Sequence, residues 1–205
     1  MDAKYAVCFS SGTAALIAAL FAVHERAGTA SITTTTNTFS AIANAAHTFG
    51  RTLDLCDISL VDYLGYYEYE SNVPPKLFVP MDYAGYPTDS FYNVPMIIRD
   101  ACHSLPSWIG RRPLDTSWMT VFSFHPTKHI AAGEGGAVIT NDPEMAHRLR
   151  LFRNNGIDTK DGVRSMWGMN LHMDEMSAAL AYSQLQRVGE NHKRLGDVAN
   201  AYRTS

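Results

Sequence analysis

Cysteine, long apolar runs and charge of one sign are all scarce in this chain of 205 residues. The three cysteines, Cys8, Cys56 and Cys102, show no CxxC spacing, so neither a disulfide framework nor a zinc site is indicated. Each lies in or next to an apolar run, and three reduced, buried thiols are expected, as in a cytoplasmic protein. The longest apolar stretch, Ala14 to Val23, is too short to span a bilayer. The N-terminus lacks a basic segment followed by an apolar one, so no signal peptide is indicated and no membrane association is expected. Lys and Arg number 17 against 20 Asp and Glu, for a net charge of −3 without any block of like charges. Such a balance carries no electrostatic footprint for nucleic acid.

What is present is the makings of a core. Apolar residues are 46% of the chain and charged ones 18%, a globular composition, and the length suits one large domain over residues 1–205. Short apolar runs alternate with helical patterns, which predicts an α/β fold with a mostly parallel sheet flanked by helices. The predicted strands are Tyr5–Phe9, Ser31–Thr35, Thr52–Cys56, Leu77–Met81, Met96–Arg99, Met119–Phe124 and Ala137–Thr140, seven in all. Predicted helices cover Thr13–Ala27, Phe39–Phe49 and Pro143–Asn154. A longer one is expected from about Asp174 to Tyr202, where Met173, Met176, Leu180, Val188, Leu195, Val198 and Tyr202 fall near helical spacing. Tyr63–Pro75 reads as an irregular connection, and Gly156 to Gly168 as an ordered loop.

Three constellations could carry chemistry. Ser10-Ser11-Gly12-Thr13 lies between the first strand and the first helix. Gly12 allows close backbone approach, and the helix N-terminus suits a phosphate; an ordinary turn with a hydroxyl N-cap explains the same residues. Asp100-Ala101-Cys102-His103 ends a strand, on the edge where open α/β sheets bind ligands. An aspartate there can hold a protonated ring nitrogen, or simply cap a helix. His103 on its own reads as a structural histidine. Ser123 and Lys128 flank the end of another strand. Ser123 could donate to a phosphate, and Lys128 could form a Schiff base, the alternative being a solvated surface lysine. Gly133-Glu-Gly-Gly136 is no Walker loop, since no Gly-Lys-Ser/Thr follows; it reads as a tight turn feeding the next strand.

The order of these signals resembles the pyridoxal-phosphate enzymes of fold type I. The closer resemblance is to nucleotide-sugar aminotransferases of the DegT/DnrJ/StrS type. It is carried by Ser11-Gly-Thr-Ala-Ala-Leu16, Asn37-Thr-Phe-Ser40, Asp100-Ala-Cys-His103, Ser123-Phe-His-Pro-Thr-Lys128, Glu134-Gly-Gly136 and Arg153-Asn-Asn-Gly156. Gly168-Met-Asn170, Glu175-Met-Ser-Ala-Ala179 and Gln184-Leu185 continue it, in order, across nearly the whole chain.

The resemblance implies that Lys128 holds pyridoxal 5'-phosphate as a Schiff base and acts as general base and acid. Asp100 would pair with the pyridinium nitrogen. Gly12, Thr13 and Ser123 would bind the phosphate, and Phe39 would stack on the ring, where a core phenylalanine at a helix start is the plainer alternative. His103 would sit near the ring hydroxyl. Asn170 would reach the phosphate of the neighbouring subunit, making a homodimer with shared active sites. Met173 and Met176 read as packing residues. No metal is implied. The implied reaction moves an amino group from an amino acid, glutamate being the expected donor, through pyridoxamine phosphate to a keto group of a nucleotide-diphosphate sugar. Asp82-Tyr-Ala-Gly85 and the stretch Phe152–Asp161 look like the branch that aminates 4-keto UDP-sugars.

Two departures from the family are visible. Its members carry a segment before the phosphate turn and a small C-terminal domain after the long helix, here about 172–203; the expectation is that both are missing. Arg111-Arg-Pro-Leu-Asp115, with Trp108 and Trp118 nearby, replaces a stretch that is usually richer in glycine. The expected activity is therefore a sugar aminotransferase. The alternatives are a cofactor-binding domain with little or no transfer, or a non-enzymatic partner of a full-length homologue.

Overall fold

The computed structural model describes residues 3–28, 30–58, 75–86, 94–105 and 119–204. Most of Tyr63–Pro75, and all of Arg111 to Asp115, Trp108 and Trp118, lie outside the described residues. The strands are β1 (Tyr5–Phe9), β2 (Ile32–Thr35), β3 (Leu53–Cys56), β4 (Leu77–Val79), β5 (Met96–Asp100), β6 (Met119–Ser123) and β7 (Gly136–Thr140). They form one seven-stranded sheet in the order β1-β7-β6-β5-β4-β2-β3. The pairs from β3 through to β6 are parallel, and β7 runs antiparallel to both β1 and β6. The expected mostly parallel sheet is therefore present, with β7 as its reversed strand.

The helices are α1 (Gly12–Ala22), α2 (His24–Ala27), α3 (Ala41–Thr48), α4 (Pro143–Arg153), α5 (Glu175–Gln186) and α6 (Val188–Thr204). The main core joins one face of the sheet to α1, α3 and α4. It holds Val7, Phe9, Leu16, Leu20, Ile42, Ile98, Met119, Val121, Val138, Leu149 and Phe152. On the other face Leu105, Phe122, Ile130, Ile139 and Val188 form a smaller cluster. Successive side chains of a strand alternate between faces, so Val121 serves the first cluster and Phe122 the second. α1 is apolar on nearly all sides because it is enclosed by the sheet, α3 and α4, and its many alanines let these elements approach closely.

Three expectations need correction. The single helix over Thr13–Ala27 breaks at Val23, and the single long helix breaks at Arg187, whose N–H turns back to Gln184 O at 3.1 Å. Of the apolar residues at helical spacing, only Val188 is buried; Met176, Leu195, Val198 and Tyr202 are exposed. A period of 3.6 marks a face but does not say what covers it. Cys8 is exposed, unlike the expected buried thiol. It alternates with Val7 and Phe9 on an edge strand, so those two take the core and Cys8 takes the uncovered face. Among the described residues no helix is long and apolar enough to cross a membrane.

Candidate active site

The C-terminal ends of the parallel strands and the start of α1 surround a cleft of about 210 Å³. Gly12, Thr13, Phe39, Asp100, His103, Ser123 and Lys128 all line it. Seven of the eight residues singled out from the sequence thus converge, from four separate stretches of chain. The eighth, Asn170, is exposed and not among the cleft's lining; its backbone pairs with Asn154 instead.

Each wall has a local cause. β1 ends at Phe9 and the chain turns through Ser10-Ser11 into α1. Ser11 Oγ accepts from Ala14 N at 3.0 Å, the hydroxyl N-cap. This leaves the Gly12 and Thr13 N–H groups in the first turn, where intrahelical acceptors are lacking. Gly12 is required by proximity: a Cβ there would lie 2.8 Å from Ser123 Cβ and 3.0 Å from its Oγ. Ser123 ends β6, and its Oγ accepts from His125 N at 3.3 Å.

Lys128 follows on a turn in which its N–H donates to His125 O at 2.8 Å, with Pro126 at the second position, where its fixed φ suits a β-turn. The loop is closed at its base by Phe124 N–Gly135 O at 2.8 Å and Ala132 N–Phe124 O at 2.9 Å. Gly133 and Gly135 adopt φ of 78° and 147°, so the Gly133–Gly136 stretch is the tight turn expected from the sequence. Lys128 is half-buried rather than a freely solvated surface charge.

Asp100 is the last residue of β5 and only 5% exposed. Its Oδ1 accepts from Cys102 N at 3.0 Å. Burial pushes its carboxyl above the usual range; the bonds from Cys102 oppose this, Asp82 adds to it and Lys128 pulls it back. His103 is shifted down by burial, with Lys128 and His129 acting in the same direction. Its carbonyl lies 3.1 Å from His129 Nε2. Phe39 is 64% exposed, which removes the core-phenylalanine reading and leaves a free aromatic face at the cleft.

Sequence reasoning missed Glu134, His125 and Thr127, which also line the cleft. His125 and Thr127 sit inside the Ser123–Lys128 stretch and Glu134 inside the glycine turn. Their closeness in sequence to Lys128 was the available signal. Met81 and Leu16 add apolar walls that no polar motif marks.

A buried acid and a lysine thus share one cleft with a helix N-terminus and an exposed aromatic ring. The profile of the DegT/DnrJ/EryC1/StrS aminotransferase family matches residues 1–205, and the chain belongs to that family. A UDP-4-amino-4,6-dideoxy-N-acetyl-β-L-altrosamine transaminase of Campylobacter jejuni is 29% identical over 98% of this chain and 57% of its own length. Among solved structures, Helicobacter pylori PseC, an aminotransferase involved in the biosynthesis of pseudoaminic acid, superposes with a TM-score of 0.79. It is 29% identical over 92% of this chain and 55% of that one. DesV of S. venezuelae, solved in complex with a ketimine intermediate, gives a TM-score of 0.80 at 28% identity, over 92% and 53%. The chain thus spans little more than half the length of these relatives.

Proposed function

We propose that residues 1–205 form the pyridoxal-phosphate-binding unit of an aminotransferase that moves an amino group from an amino acid, glutamate in our reading, to a keto group of a nucleotide-diphosphate sugar. The observation that carries this is the convergence of Lys128, Asp100, Ser123, Gly12, Thr13, His103 and Phe39 on one cleft. The donor set fits the cofactor. The α1 N–H groups and Ser123 Oγ suit a phosphate, the buried Asp100 carboxylate suits a protonated ring nitrogen, and the exposed Phe39 ring suits an aromatic face.

When bound, the cofactor supplies an electron sink for the carbon that loses or gains the amino group. The chain's own residues do the rest. Lys128 would hold the cofactor through its Nζ and, when free, would take and return the proton at the amino-bearing carbon. Asp100 keeps the ring nitrogen protonated, and Cys102 N orients the Asp100 carboxylate for that task. His103 stands at the cleft wall for the ring hydroxyl. The Campylobacter relative's name supports a UDP-linked sugar aminated at C4 as the acceptor. Asn170, exposed and away from its own chain's cleft, is assigned to the cleft of a second copy in a homodimer.

The test is the visible spectrum of the purified chain with pyridoxal phosphate, before and after glutamate. A band of lysine-bound cofactor that vanishes in Lys128→Ala and bleaches with glutamate is expected. A band that survives Lys128→Ala would remove the lysine assignment, and one that glutamate leaves unchanged would favour cofactor binding without transfer. For Asn170, mixed dimers of Asn170→Ala and Lys128→Ala chains should contain one impaired and one restored site. Cofactor affinity in Asn170→Ala equal to that of the parent chain would remove the shared-site assignment.

A further inference from the structure

Arg99 is the most voluminous of the fully buried side chains among the described residues, 2% exposed, in a sheet strand where it follows Met-Ile-Ile and precedes Asp100. Its Nη1 donates to Asp82 Oδ1 at 3.1 Å, and Ser104 Oγ donates to Asp82 Oδ2 at 2.8 Å. Asp82 and Ser104 are wholly buried. Ion pairs of this depth add little net stability, because desolvation offsets their attraction, and apolar residues of similar volume serve a core as well or better. Stability alone therefore gives a poor account of this cluster.

Its position gives a better one. Asp82 N donates to Asp100 O at 2.9 Å, and Asp100 N donates to Pro80 O at 2.9 Å, so the chain around Asp82 is stitched to both sides of the Asp100 backbone. The Asp82 carboxylate then bridges Arg99, one residue before Asp100, to Ser104, four residues after it. Ser104 N closes the intervening turn on Ala101 O at 3.0 Å. Asp100 is thus bracketed along the chain by groups held on one buried carboxylate.

We propose that the Arg99–Asp82–Ser104 cluster is a positioning device for Asp100: it fixes the turn that carries Asp100, and Arg99 cancels the charge of Asp82, so that Asp82 adds no net negative charge beside Asp100. Two uncompensated carboxylates in one dry region cannot both remain ionised at neutral pH. With Arg99 in place, Asp82 is neutralised on the far side, while Cys102 and Lys128 act on Asp100 from the cleft side. His103, His125 and Glu134 are the other titratable groups lining the cleft. The inference rests on the reading of Asp100 as the partner of the ring nitrogen.

The test uses the whole chain, free of cofactor and labelled with carboxyl-¹³C aspartate, with the Asp100 resonance assigned through Asp100→Asn. Arg99→Met should raise the Asp100 titration midpoint by roughly one pH unit, and Asp82→Asn should lower it by about as much. The double variant Arg99→Met/Asp82→Asn should return close to the parent value. Opposite shifts that cancel are a signature of charge, which a merely structural role would not give. If Arg99→Met does not fold, Asp82→Asn and the double variant carry the test. An unmoved midpoint in Asp82→Asn, or a double variant shifted as far as a single one, would overturn the proposal. Pyridoxal phosphate titrated into the same proteins gives a second readout, with about tenfold weaker binding in Arg99→Met, which corresponds to ~1.4 kcal/mol, and recovery in the double variant. Failure of the parent chain to bind pyridoxal phosphate would sink the functional reading while leaving the NMR result standing. Normal binding with no NMR response would sink only this proposal.

Discussion

Gly136 does not line the cleft, yet its replacement by alanine should damage cofactor binding. A Cβ at Gly136 would lie 2.6 Å from Ser11 O, 2.7 Å from Gly12 N and 2.7 Å from Ser11 C, all backbone atoms. Cβ contacts essentially never fall below 3.0 Å, so at least about 0.4 Å of movement is required in a packed interior. Neither side moves freely. Gly136 is paired with Phe9 of β1 on one side and Ser123 of β6 on the other. The opposing turn is held by the Ser11 cap on Ala14 N and by Ser10 N on Leu171 O at 2.9 Å. Overpacking of this kind costs about 1–3 kcal/mol. The displacement also falls on the Gly12 and Thr13 N–H groups assigned to the phosphate. Gly136→Ala should therefore lower stability by about 1–3 kcal/mol in urea melts. It should also weaken pyridoxal phosphate, measured by absorbance titration, by roughly tenfold or more, for a loss of ~1.4 kcal/mol. Gly189→Ala is the control. It lies in α6 with nothing within 4 Å of a new Cβ, and should be neutral or stabilising by up to about 1 kcal/mol with unchanged affinity. A Gly136→Ala protein with parental stability and parental affinity would refute the argument that β7 backs the phosphate turn rigidly.

Two further outcomes follow from the site's electrostatics. Because burial raises the Asp100 carboxyl in the folded chain, the folded state binds its proton more tightly than the unfolded state. Stability contributed by the protonated form is complete below the unperturbed value of 3.8, and declines as pH rises through the raised folded value. Cofactor-free Asp100→Asn should therefore melt at a higher temperature than the parent at neutral pH, with the gap closing in acid, while binding pyridoxal phosphate more weakly. A variant less stable at neutral pH than the parent would show that the Asp100 charge is not a burden on the fold. Thiol labelling should find Cys8 first, because it is exposed, although its own thiol is raised by desolvation with Arg153 pulling the other way. Cys56, raised to about 11 mainly by burial, and Cys102, held well above its usual value by burial and then by Asp100, should react slowly at mildly alkaline pH. Bound cofactor should slow Cys102 further, since it lines the cleft. Labelling of Cys102 at the same rate with and without cofactor would place the ligand elsewhere.

Local pattern located most elements because local chemistry makes them. All seven predicted strands formed, with ends that moved by no more than two residues, since β-branched and apolar runs bounded by turn residues have few other uses. Asp142 caps α4 through Glu144 N and Met145 N, with Pro143 next to it, and this start was readable as it stood. The breaks at Val23 and Arg187 were not readable, because no proline marks either and Gly189, two residues past Arg187, lies inside α6 rather than at the break. At Arg187 the adjoining Val188 is the residue tied to the sheet's second core cluster. The exposure of Cys8 was equally hidden, since a cysteine between Val7 and Phe9 looks the same whether or not a neighbour covers it.

The sequence by itself determined the chemistry on offer: a lysine on a strand-end loop, an acid at a strand end, a glycine–hydroxyl turn before a helix, and their order. Tertiary structure decided the rest. It placed Lys128 near Asp100 although the two stand 28 positions apart in the chain. It reversed β7, so that Gly136 backs the Ser11–Gly12 turn, and left Asn170 outside its own chain's cleft. It also buried Arg99 against Asp82, a pairing across 17 residues that no periodicity marks. The physical reason is common to all of these. A side chain's type is local, but its dielectric surroundings and its charged neighbours are set by which strands lie side by side, and only the assembled sheet specifies that.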